Sequence, residues 1–244
     1  MPHVPIVHGV IDRRILVNYR VDPDILTRML PPPFRPKLVV GVGMVGVCLI
    51  RLRDVRPRFL PAVVGIGSEN AAHRIAVEWD DDGHRQEGVY IPRRDTNSRF
   101  NTLLGGRLFP GVHQHARFTV TETDNTFAVA LESDDHRTHL RVAGHIAAAL
   151  PASSVFASLE EASAFFQRGA TGYSVTREPN RFDGLELRSQ SWHVEPFRIE
   201  LVESSFFDDR QLFPASSIQF DCALIMRGIA HEWHARDQIN CHAP

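Results

Sequence analysis

The chain has 244 residues, 43% of them apolar, with 27 basic side chains against 29 acidic ones. A formal charge of −2 excludes nucleic acid or an anionic membrane as a partner held by net charge. Of the basic residues only Lys37 is a lysine, so any Schiff-base chemistry rests on that residue, because a guanidinium stays protonated and cannot form an imine.

Residues 1–244 read as one domain, within the length range of a large β or α+β unit. Cys48, Cys222 and Cys241 have no paired metal spacing and read as free thiols. The start of the chain lacks a basic and then apolar leader, and the longest apolar run, Leu38 to Ile50, is too short for a membrane span. A cytoplasmic protein is expected.

Alternating and β-branched runs predict strands over Val10–Val21, Leu38–Leu52, Arg74–Trp79, Glu87–Pro92, Val112–Glu122, Thr126–Ser133 and Thr138–Ile146. Further strands are predicted over Tyr173–Thr176, Gly184–Arg188, Trp192–Ser204 and Ser217–His231. Turn residues at Asp80–Gly83, Asp124-Asn125 and Asp134–His136 join neighbouring runs as hairpins. Asp22-Pro23 caps a helix that the prolines at 31–33 stop. Ser158 and Glu161 form a capping box for a second helix ending at Gly169, and a short third is placed near Thr96–Leu104. The fold class is therefore α+β, mainly antiparallel β, and so many consecutive strands favour closure into a barrel.

Gly41-Val42-Gly43-Met44-Val45-Gly46 has the spacing of a dinucleotide fingerprint, but the sequence continues as strand where that motif needs a helix. His231 and His234 are one residue short of a zincin spacing and read as surface residues. His113 and His115 share a strand face and are candidates for a metal pair, though Glu122 as a third ligand has the wrong parity. No metal or cofactor is assigned. Two charged segments stand beside apolar strands: Glu69, Asn70, His73, Arg74 and Glu78, then Arg93, Arg94, Asp95, Arg99 and Arg107. Arg94 and Arg107 either pair with Glu69, Glu78 or Asp95 or hold a small anion. Lys37, after a proline-rich turn, reads as a solvated strand-start residue.

Tyr19–Pro23, Leu30–Pro33, Gly105–Val112, Leu150–Phe156 and Gly172–Ser174 resemble the acetoacetate decarboxylase-like superfamily, and specifically its branch of uncharacterised bacterial proteins. The resemblance implies a closed, cone-like β-barrel with a central cavity and flanking helices. In true acetoacetate decarboxylases the imine-forming lysine follows an aromatic-proline step; here Phe109-Pro110 is followed by Gly111 and Val112. A first-strand basic residue aligns near Arg13 or Arg14. The expectation is a protein that binds a small polar or anionic molecule without lysine chemistry, using Arg94, Arg107, Gly111 and Gln114, with Glu69, Asp95, His113 and His115 as candidate acid–base groups. The alternatives are a decarboxylase or aldolase acting through Lys37, and a metal enzyme using His113 and His115. Phe206, Phe207 and Phe213, read as outward-facing, suggest a homo-oligomer.

Overall fold

The computed structural model describes residues 6–104 and 111–241. In chain order the strands are β1 (Val7–Val21), β2 (Arg35–Pro36), β3 (Leu38–Val39), β4 (Val42–Pro57), β5 (Ile66–Asp81), β6 (His84–Thr96) and β7 (Gln114–Glu122). They continue as β8 (Thr126–Ser133), β9 (His139–Ile146), β10 (Thr171–Val175), β11 (Arg181–Ser189), β12 (Glu195–Ser204) and β13 (Ile218–Asn240). Three helices accompany them: α1 (Pro23–Met29), α2 (Arg99–Leu104) and α3 (Leu159–Gln167).

The strands form one mixed sheet in the order β11-β10-β6-β7-β8-β9-β12-β13-β1-β4-β5-β2, with additional pairings of β11 to β13 and β6 to β5. The parallel contacts are β6 with β7 and β6 with β10. β1 lies between β13 and β4, and its stretch Ile15-Leu16-Val17 is buried on both faces, which fits three consecutive apolar residues there although the rest of the strand carries charged and polar side chains. On one face Ile15, Val17, Val45, Val47 and Leu49 pack with Phe197, Phe207 and Phe213. On the other, Leu16, Met44, Cys48 and Leu224 pack with Phe156, Phe165 and Phe166. Each such large apolar side chain contributes about 1.5–3 kcal/mol by leaving water.

The helix caps form as their residues dictate. The Asp22 carboxylate accepts from the Asp24 N–H at 2.9 Å, and Pro23 opens α1 where no N–H is needed. The Ser158 hydroxyl accepts from the Glu161 N–H at 3.2 Å, and the Glu161 carboxylate accepts from the Ala157 N–H at 2.9 Å. Gly169 does not end α3 in a left-handed turn. Its φ is −82°, within a 3-10 turn over Arg168–Ala170 that leads into β10.

Several expectations are corrected. The run from Leu38 is split by a turn at Val40-Gly41, where Gly41 takes a φ of 80°. β5 begins at Ile66 and β13 runs to Asn240, because neighbouring strands supply ladder partners beyond the apolar runs. His231 is a fully buried strand residue, not a surface one; β13 is flanked there by β1 and β11, and the Trp233 ring lies 4.7 Å from the imidazole. Phe207 and Phe213 are also buried, and Phe206 packs against both. The exposed apolar side chains lie elsewhere, at Phe59, Val63 and Val40 among others. Lys37 is buried, with its ammonium above the Phe165 ring.

Candidate functional site

Register builds the site across four strands. Leu16 of β1, Cys48 of β4, Ala72 of β5 and Arg94 of β6 form one continuous cross-strand row. Arg14, Ile50 and Asn70 form the next row on one side, and Asn18, Gly46 and Arg74 the next on the other. Since paired residues project from the same face, Arg14, Arg74 and Arg94 share the face that carries Cys48.

These three guanidiniums find only neutral partners among the described residues. The Arg14 Nε donates to Cys48 Sγ at 3.2 Å, and its guanidinium lies 5.7 Å from the Trp192 ring centroid. Arg74 donates to Asn18 Oδ1 and sits 5.0 Å above the Phe166 ring, with its Nε sealed from solvent and unpartnered. Arg94 donates from Nε to Ser174 Oγ at 2.8 Å. Burial disfavours the charged forms of Arg74 and Arg94 and pushes both down to about 10.

Arg94 opens on a cavity of about 60 Å³ whose lining includes Ser68, Asn70, Leu52, His113 and Trp233. A cavity needs at least ~10–15 Å³ to admit one water, so this space takes water or the polar end of a small molecule. His113 is held by a contact of 3.3 Å between its Nδ1 and the Gly111 carbonyl. Burial first, and then the charge of Arg94, lower its imidazole to about 3, so it is neutral throughout the physiological range.

The carboxylates weighed as partners for Arg94 are occupied by other arginines. Glu69 receives Arg13 and Arg51, each at 2.5 Å, and Glu122 bonds the same two arginines. Glu78 pairs with Arg35 at 3.0 Å and Arg85 at 3.1 Å. Asp95 is held by Arg93 at 2.6 Å, and Arg93 also binds Asp135 at 2.7 Å. Adjacent residues on a strand face opposite ways, which is why Arg93 enters this network while Arg94 turns to the cavity.

The remaining candidates are dispersed. His115 bonds Asp134 at 2.7 Å on the exterior, away from His113, which precedes β7. Gln114 pairs with Asp95 across the short parallel contact and is not a cavity residue. Arg107 lies outside the described residues. Gly111 has a φ of 87°, donates its N–H to Asp183 at 3.0 Å, and would place a Cβ 2.4 Å from that of Ser174. A side chain there therefore requires the backbone to move. Lys37 donates to Glu87 at 2.6 Å; burial lowers its pKa, against the opposing effect of that carboxylate. Arg14, Arg74 and Cys48 share the face of Arg94; the sequence reading names the two arginines as charged or aligned residues and Cys48 as a free thiol, but not as groups of one site, because only the strand register brings them together.

Among the described residues no group of three or more potential metal ligands comes together, and no helix is long and apolar enough to cross a membrane. No curated protein matches the chain. The structure is similar to an acetoacetate decarboxylase-like enzyme from Sphingomonas wittichii RW1, with 12% identity, a TM-score of 0.60, and coverage of 99% of this chain and 94% of that one. It is also similar to the acetoacetate decarboxylase of Legionella pneumophila, with 13% identity, a TM-score of 0.61 and coverage of 99% and 88%. The enduracididine biosynthesis enzyme MppR complexed with pyruvate matches with 11% identity, a TM-score of 0.58 and coverage of 98% and 91%. These likenesses establish the acetoacetate decarboxylase-like fold. The family model DUF2071, an uncharacterised conserved protein, matches residues 11–226, and the chain belongs to that family.

Proposed function

We propose that this protein binds a small organic carboxylate in the cavity beside Arg94 and does so without a lysine imine. The observation that carries the reading is a guanidinium at the cavity with one neutral hydrogen bond and no carboxylate partner among the described residues. A half-buried cation without a carboxylate partner is under-compensated, and a bound anion removes that cost through charge-assisted, bidentate contact. Arg14 and Arg74 on the same face add to the positive potential. On this reading the β5–β6 and β11–β13 pairings close the strands into a barrel around the site. His113, neutral and next to Arg94, is placed to hydrogen-bond a ligand, whereas Glu69 and Asp95 are held in ion pairs. The fold is shared with a protein whose structure contains pyruvate, which makes pyruvate a suitable probe.

Calorimetric titration with pyruvate tests this. Arg94→Gln is expected to weaken binding by about 10- to 100-fold, the range for losing a charged hydrogen bond; equal affinity in the variant refutes the reading. The competing imine mechanism is favoured by one feature, the burial of Lys37 that lowers its amine pKa. Borohydride reduction in the presence of pyruvate separates the two. No adduct is expected, and a trapped mass increment on Lys37 overturns the lysine-free proposal.

A further inference from the structure

Two groups meet at the cavity with opposite hydrogen-bonding demands. Arg94 offers only donors, and of its guanidinium nitrogens only Nε has a partner among the described residues. His113 is the reverse. The Gly111 carbonyl, 3.3 Å from Nδ1, can only accept, so Nδ1 carries the ring hydrogen and Nε2 presents a lone pair. That Nε2 has no partner among the described residues, and it is not one of the nitrogens sealed inside the protein. The ring stays neutral, as burial and the charge of Arg94 require.

A carboxylate satisfies Arg94 but cannot satisfy His113, because its oxygens would set lone pair against lone pair. The group next to the carboxylate must therefore bring a proton. An ammonium would do so, but it would stand beside Arg94 and on the face that also carries Arg14 and Arg74, and Asp95, the carboxylate among the described lining residues, is already held by Arg93 at 2.6 Å. A neutral hydroxyl meets both demands. Resting on the carboxylate reading above, we infer that the site selects 2-hydroxy acids over the corresponding 2-oxo and 2-amino acids, with Arg94 taking the carboxylate and His113 Nε2 accepting from the hydroxyl. Sites built to hydrogen-bond a substrate hydroxyl discriminate strongly against analogues that lack it, since their own polar group is then left unpaired.

The test is calorimetric titration of the full chain with both enantiomers of lactate, and with pyruvate and alanine, which share the carbon skeleton. At least one lactate enantiomer is expected to bind about 10-fold more tightly than pyruvate, and alanine more weakly than either. His113→Leu is expected to erase the gap between lactate and pyruvate while Arg94→Gln weakens both. Pyruvate or alanine binding as tightly as lactate overturns the hydroxyl inference. If Arg94→Gln still weakens pyruvate in that case, the carboxylate reading stands. If none of the three acids binds, the carboxylate reading itself falls. Should His113→Leu fail to fold, the comparison of ligands on the unaltered chain decides alone.

Discussion

His73→Leu isolates the cost of a buried imidazole. His73 is fully buried against the rings of Phe206 and Phe207, 4.7 and 5.6 Å away, and neither of its nitrogens has a partner among the described residues. Burial first, and then the charge of Arg93, push its pKa down to about 3. An unfolded histidine titrates near 6.5, so between these two values the unfolded chain holds a proton that the folded chain does not. Stability therefore falls as pH falls through this window, by about 1.4 kcal/mol per unit from this residue alone. From pH 7.5 to pH 5.0 the unaltered protein should lose about 2 kcal/mol more than His73→Leu. With a urea m-value near ~3 kcal/mol/M, this appears as a difference of roughly 0.7 M in how far the two midpoints move. At pH 7.5 the variant should be as stable or slightly more stable, because deleting two unpaired polar atoms offsets the lost ring contacts of about 1 kcal/mol. Urea titrations of both proteins at the two pH values, followed by tryptophan fluorescence, provide the assay. Equal midpoint shifts would refute the argument.

Two further substitutions test the surroundings of the site. Glu69→Gln leaves Arg13, which is 2% exposed, with weakened compensation, and should cost about 3 kcal/mol in urea unfolding while pyruvate affinity is unchanged; a matching loss of pyruvate affinity would place Glu69 in the binding machinery instead. Gly111→Ala meets both a left-handed backbone and the Ser174 side chain, so a loss of about 2 kcal/mol or more is expected, and a neutral effect on thermal unfolding would contradict the close packing described.

Much of the fold was legible because its signals are local. The alternation on β8 and β9, the hairpin turns, and the caps of α1 and α3 each depend on residues a few positions apart. The ends of β5 and β13 were not legible, since polar stretches there become strand only when β4, β6 and β11 supply hydrogen-bond partners. The burial of Lys37 and His231 was not legible for a related reason: it depends on tertiary neighbours, Phe165 of α3 against Lys37 and the flanking β1 and β11 beside His231.

The charged residues divide along the same line. Their composition, one lysine among many arginines, was enough to restrict imine chemistry to Lys37, because that restriction follows from functional groups and not from position. Which arginine would be left for a ligand was a tertiary matter. Arg13 meets Glu122 from 109 residues away, and Arg93 meets Asp135 from 42. Once those pairs form, the carboxylates that could neutralise Arg94 are taken. Strand alternation separates Arg93 from Arg94, but only the register across β1, β4, β5 and β6 decides that the second of them faces the cavity with His113.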